Sequence, residues 1–200
     1  MSARIKMTSP KGVAVWPWLN EPDKRFDERG TYTVTLRVGD GAEDFIRKLN
    51  DIYNDGYARQ LSEQKKAKLK EGPMPWSAYM DDQGEPTGLT EFKFKNNAAY
   101  KYEGKMIENR IQIIDSKRNP IVANVGGGST LRVGFEPYVW FVPSMGVGMS
   151  LRLKIVQVLD LVEFGGGNSA SEFGFEEEEG FVGIVKSEET PEEPANDFDF

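Results

Sequence analysis

Apolar and polar residues alternate one by one through most of this chain, and a single stretch breaks that rhythm. In GTYTVTLRV, Tyr32, Val34, Leu36 and Val38 fall on one face and Thr31, Thr33, Thr35 and Arg37 on the other. That is the pattern of a half-buried antiparallel strand. GVAVWPWL places Val13 and Val15 on one side and Gly12, Ala14, Trp16 and Trp18 on the other, until Pro17 limits it to an edge or a bend. LTEFKFKN alternates Phe92 and Phe94 with Lys93 and Lys95, RIQIIDSK runs into a turn over residues 115–119, and STLRVGFEPYVWFV follows a triple glycine. MSLRLKIVQVLDLVEF closes the series; Leu151, Leu153 and Ile155 share a phase that shifts between Ile155 and Val158, which predicts a bulge in a long, bent strand.

The exception begins at Asp40. Phe45, Leu49, Ile52, Tyr53 and Leu61 recur at helical spacing, Asp40 and Glu43 are set as a capping box, and Gly72-Pro73 is the stop. One helix is expected, with an interruption at Gly56 left open. Lys65, Lys66, Lys68 and Lys70 make its last turns too polar to bury, so they project as a solvated end or a second contact for a polyanion. Five or more antiparallel strands with one inserted helix predict a mainly β (α+β) domain, most simply a barrel.

Composition narrows the chemistry. The 200 residues contain no Cys and no His, so disulfides, thiolate metal sites and imidazole general bases are excluded. No stretch approaches eighteen consecutive apolar residues and the first ten residues lack an apolar core of the signal-peptide kind, which predicts a soluble chain, not exported by that route and not in a membrane. The net charge of −7 is unevenly spread: residues 163–200 hold twelve acidic residues against one basic, Lys186, and the remainder is weakly basic. A body over residues 1–164 and a flexible, disordered acidic tail over residues 165–200 follow, the latter too poor in apolar residues to offset its ordering entropy. A basic body with an acidic tail points to a polyanion partner or an interaction tail.

The candidate site is the outer face of the barrel. If Val139 and Phe141 fill the core, Tyr138 and Trp140 face outward, as Trp16 and Trp18 do opposite their strand's valines. Combined with Lys93, Lys95, Arg132, Arg152 and Lys154, these rings form a stacking platform in a positive groove, the usual means of holding single-stranded nucleic acid without reading its sequence. The alternative is that some rings pack beneath the helix or a long loop, and outward Trp residues also suit a glycan-binding β-domain. The run Gly126, Gly127, Gly128, Ser129 is either a phosphate cradle or the tight lead-in to a strand. Asp115 and Lys117 are the centre of an enzymatic alternative, a carboxylate-dependent magnesium nuclease, for which no second carboxylate stands at a recognisable spacing. In the tail, Asp197, Phe198, Asp199 and Phe200 alternate ring and carboxylate to the last residue, as a short motif docking on partner proteins would.

Read in order, GTYTVTL, GPMPW, EFKFK, IIDSK, VGGGSTLRVGFEPYVW, SLRLKIVQVLDLVEFGGG, GFVGI and the acidic tail ending in Phe closely resemble the replication single-stranded DNA-binding proteins of short-tailed bacteriophages of the T-seven type. The resemblance covers nearly the whole chain. It implies an OB-fold, a five-stranded antiparallel barrel with an inserted helix, and a non-enzymatic, cofactor-free protein that coats single-stranded DNA and promotes annealing in replication and recombination. It also implies tail contacts to the phage DNA polymerase and helicase-primase in the host bacterial cytoplasm, and leaves a homodimer open.

Overall fold

The computed structural model of the chain describes residues 4–163. The acidic tail, its boundary after residue 164, and Asp197, Phe198, Asp199 and Phe200 lie outside the described residues. The order is β1 (Met7–Thr8), β2 (Gly12–Asp23), β3 (Thr31–Val38), α1 (Ala42–Gln64), β4 (Trp76–Met80), β5 (Pro86–Asn97), β6 (Ala99–Tyr102), β7 (Lys105–Glu108), β8 (Gln112–Ile114), β9 (Thr130–Val142) and β10 (Gly146–Asp160).

Five of these strands close on themselves. β2 pairs with β3, β3 with β5, β5 with β10, β10 with β9, and β9 returns to β2. This is the expected OB-type barrel, mostly β with one helix inserted between its second and third strands. Four seams are antiparallel and the fifth, between β5 and β10, is parallel, with Leu151 opposite Phe94 and Arg152 opposite Lys95. Alternation along a strand is the same for both kinds of pairing, so the sequence pattern carries no mark of this seam.

The interior is filled from alternate positions. Val34, Leu36, Phe92, Phe94, Leu131, Val133, Leu151 and Leu153 are fully buried, and Phe135 packs edge-on against Phe94 with ring centroids 5.1 Å apart. Helix α1 plugs the barrel against β9 and β10: Phe45 lies 4.9 Å from Phe92 and 5.7 Å from Phe135, and the Tyr53 hydroxyl donates to the Val147 carbonyl at 3.0 Å. Burial pushes the Tyr53 hydroxyl pKa up, with the nearby Glu71 and Tyr57 adding to the effect.

Four local expectations differ. In β2 the phase is inverted: Gly12 and Ala14 face the interior while Val13 is exposed, because a Cβ at Gly12 would meet Val38 at 2.8 Å and the crowded wall admits only small residues. The helix begins at Ala42 with Gly41 as N-cap in the left-handed region, so Asp40 supplies no side-chain cap, and it passes straight through Gly56, where a Cβ would lie 2.6 Å from Val139. It ends at Lys65, whose φ of 51° turns the chain back, seven residues before Gly72 of the Gly72-Pro73 pair. Residues 65–70 therefore follow the helix; Leu69 is buried and its backbone is clamped by the Tyr57 hydroxyl, which donates at 2.6 Å and accepts at 3.0 Å. In β10 the register shifts already between Leu153 and Ile155, so Val156 and Val158 resume the core and Ile155 leaves it.

Candidate nucleic-acid interface

The outward faces of five strands meet in one row. Trp18, Thr33, Lys95, Arg152 and Glu136 are successive cross-strand partners over β2, β3, β5, β10 and β9. Beside this row lies an open groove of about 570 Å³ that gathers Lys95, Tyr138, Trp140, Arg152 and Lys154 with Arg4, Tyr100, Ser150 and the carboxamides of Asn96, Asn97 and Asn109.

Each of its central groups is held in place. The Arg152 guanidinium sits 3.6 Å above the centre of the Tyr138 ring, a cation–π pair that orients both and leaves Tyr138 45% exposed. Trp140 faces Gly148 across the seam, and a Cβ on that glycine would run into the indole, so the ring packs close against bare backbone. Its Nε1–H donates to the Ser150 hydroxyl at 2.9 Å, which fixes its rotation. Lys154 occupies the bulge between Leu153 and Ile155, where the extra residue turns its side chain into the groove. Two rings set beside fixed cations can take planar, negatively linked units one after another, stacking the flat part and neutralising the charge.

Five of the nine body residues singled out in the sequence therefore share the groove. Trp18 adjoins it through Thr33, but one side of its ring is taken by the Arg25 guanidinium at 5.0 Å, which also grips Asp23 at 2.9 and 2.8 Å and holds that carboxyl below its usual pKa. Trp16 stands apart: the β2 register breaks between Val15 and Trp18, Trp16 has a φ of 48°, and its side chain is 83% exposed. Lys93 lies opposite Thr35 and Arg132 opposite Gln157, both outward but outside the groove lining.

Sequence reasoning missed the β6–β7 hairpin, which brings Tyr100 to the groove and exposes Tyr102 and Met106 beyond it. Its signal was the Glu103-Gly104 pair, both with positive φ at 47° and 81°, the two-residue turn that joins twisted antiparallel strands. Arg4 and Glu136 were also missed. An isolated cation near the terminus and one carboxylate inside an apolar strand have no pattern to announce them.

The alternatives find less support. The Asp115 carboxylate accepts from the backbone N–H of Lys117 and Asn119 at 2.8 Å each and from the Asn119 side chain at 2.9 Å. These bonds, the Asn119 side chain foremost, lower its pKa; it serves its own turn. Among the described residues no three acidic side chains cluster as a metal site. The amides of Gly126 and Gly128 donate to Val162 and Ala14 carbonyls at 2.7 and 2.9 Å, which makes the glycine run a tight lead-in to β9. No described helix is long and apolar enough to cross a membrane.

Residues 12–163 match the family profile described as single-stranded DNA-binding protein, bacteriophage T7. The single-stranded DNA-binding protein of Escherichia phage T7 is 30% identical over 98% of this chain and 94% of its own length. The crystal structure of gp2.5, a single-stranded DNA-binding protein encoded by bacteriophage T7, superposes with a TM-score of 0.68 at 26% identity, covering 91% of this chain and all of that one. The single-stranded DNA-binding protein of bacteriophage Enc34, solved in complex with ssDNA, shares the fold at a TM-score of 0.56 and 14% identity, over 80% of this chain and 89% of that one.

Proposed function

Because the chain belongs to the family of T7-type bacteriophage single-stranded DNA-binding proteins, we propose that it binds single-stranded DNA without regard to sequence, through the groove of Tyr138, Trp140, Lys95, Arg152 and Lys154. The observation that carries this is the cation–π pair of Arg152 and Tyr138 beside an indole packed close on Gly148 and bonded to Ser150. Stacking serves every base alike, and the cations serve the backbone common to all of them. The groove offers unpaired strands what a stacked duplex keeps inside.

By this reading the protein is a non-enzymatic coating protein of phage replication and recombination, acting in the host bacterial cytoplasm and promoting annealing. Residues 165–200 form an acidic appendage to the 1–164 body, whose carboxylates compete with DNA for the groove. The terminal motif of Asp197, Phe198, Asp199 and Phe200 docks on the phage DNA polymerase and helicase-primase. Self-association as a homodimer is compatible with either role.

The test is a titration of labelled oligo-dT at several salt concentrations, with duplex DNA as control. Log affinity is expected to fall linearly with log salt, by about 0.7 per neutralised phosphate. A slope near zero, or binding to neutral glycans unaffected by salt, would overturn the proposal; cleavage of the oligonucleotide on adding magnesium would restore the nuclease reading. In the same titration a chain ending at Phe164 is expected to bind more tightly than the parent at low salt, the gap closing as salt screens the tail.

A further inference from the structure

A carboxylate lies where a DNA-binding groove should least want one. Glu136 is on the outward row of the barrel, opposite Arg152, yet it is only 8% exposed. Its Oε2 is 3.7 Å from the Lys154 ammonium and 3.9 Å from the Arg4 guanidinium, and makes no hydrogen bond among the described residues. Arg4 and Lys154 both line the groove and are themselves 74% and 39% exposed. The pairing is thus a charge interaction at a distance, with its anion sunk in the wall and its cations at the surface.

Barrel packing gives no reason for that charge. Phe135 fills the core on one side of Glu136 and Pro137 follows it opposite Leu151 in the continuing ladder, and a neutral side chain of the same size would avoid burying an ion. The position does matter to an arriving polyanion. A phosphate drawn to Lys154 or Arg4 approaches a fixed negative charge that water barely screens, so those two cations are partly spent before DNA arrives, whereas Lys95 makes no ion pair among the described residues.

We propose that Glu136 is a built-in competitor of the DNA backbone, a buried carboxylate that holds Lys154 and Arg4 in the empty groove and trims the affinity for single-stranded DNA. The inference rests on the DNA-binding reading above and adds a regulator to the same site. A lone small anion gains too little at Lys154 to offset repulsion by the carboxylate, while a strand already held at Lys95 and Arg152 brings its next phosphate at high local concentration. The carboxylate therefore favours chains of phosphates over single ones and shortens the residence time of those it admits. A protein that must leave whenever a strand is paired again gains by both.

The experiment compares the full-length parent with Glu136→Gln and Glu136→Leu, each alone and with Lys154→Gln, by oligo-dT titration across salt, alongside thermal melting. Glu136→Gln is expected to bind roughly three- to tenfold more tightly at low salt, mostly through slower dissociation. Its salt slope should steepen by about 0.7. Lys154→Gln should then lose more affinity in the Glu136→Gln background than in the parent. Glu136→Leu, which removes both charge and polarity, should repeat the gain. Weaker or unchanged binding by a well-folded Glu136→Gln would overturn the proposal and make Glu136 a positioning residue for Lys154, as would equal losses from Lys154→Gln in the two backgrounds. If neither Glu136 variant folds, the carboxylate is a structural requirement and the proposal also falls. A parent that fails to bind oligo-dT overturns the DNA reading itself, a different result from a parent that binds and variants that bind alike.

Discussion

Two pairs of outward aromatic residues look interchangeable in the sequence, and the structure treats them differently. Tyr138 and Trp140 on β9 are each fixed by a neighbour, Arg152 above one and Gly148 beneath the other, and they open into a groove with three lysine or arginine residues from β5 and β10. Trp16 and Trp18 on β2 straddle a break in register; one ring stands almost free in solvent and the other is already covered by Arg25. The difference teaches that an exposed ring is not yet a binding ring. Stacking on a fixed ring gains the full contact, whereas a loose ring must first lose its own rotamer freedom.

The sharpest way to break this comparison is to remove one ring from each pair. Trp140→Ala is expected to weaken binding to oligo-dT by about 1–3 kcal/mol, the usual worth of one stacked base. Trp16→Ala should change it by less than about 0.5 kcal/mol, the range of an ordinary surface substitution. Anisotropy of a labelled oligonucleotide measures both without relying on the lost indole. If the ranking came out reversed, the contact surface would move to β2.

A smaller effect separates the cations. Arg152→Gln or Lys95→Gln should each flatten the salt dependence by about 0.7 in the slope, and Lys93→Gln or Arg132→Gln should leave it as in the parent. Equal slopes for all four would mean that DNA follows the whole barrel surface and that the groove has no privileged place.

The smallest effect concerns the Arg25 clasp that covers Trp18. Asp23 has a folded pKa lowered from 3.8, first by the Arg25 side-chain hydrogen bond. A lowered carboxylate pKa means that its stabilisation is present above the unfolded value and disappears as pH falls through the folded one. Melting curves of the parent and Asp23→Asn should therefore differ slightly at neutral pH and converge as the pH falls through the folded pKa of Asp23. Convergence at neutral pH already would show that the clasp adds nothing and leaves Trp18 as free as Trp16.

These contrasts also mark how far the sequence could be read. β3 was legible residue by residue, because Tyr32, Val34, Leu36 and Val38 are large, apolar and all inward. β2 was not, since hydropathy ranks Val13 above Gly12, while interior space ranks them the other way. The helix was visible from its period but its ends were not: Gly41 and Lys65 cap through backbone conformation, for which Lys gives no hint. In the site, Lys95, Tyr138, Trp140, Arg152 and Lys154 were legible as outward residues on strands, yet nothing in a linear pattern says which outward residues share a side of a closed barrel. That depends on the seams, and one of them joins strands more than fifty residues apart.

That parallel seam decides when the groove is complete. β10 bonds to β5 on one edge and β9 on the other, and it contributes Ser150, Arg152 and Lys154 to the groove. As the ribosome extends the chain from its N-terminus, β2, β3 and β5 can pair early, but the ring stays open until the fifth strand has emerged. A nascent chain thus displays Lys95 and Tyr138 without their partners, and the groove is completed in one step once β10 has emerged.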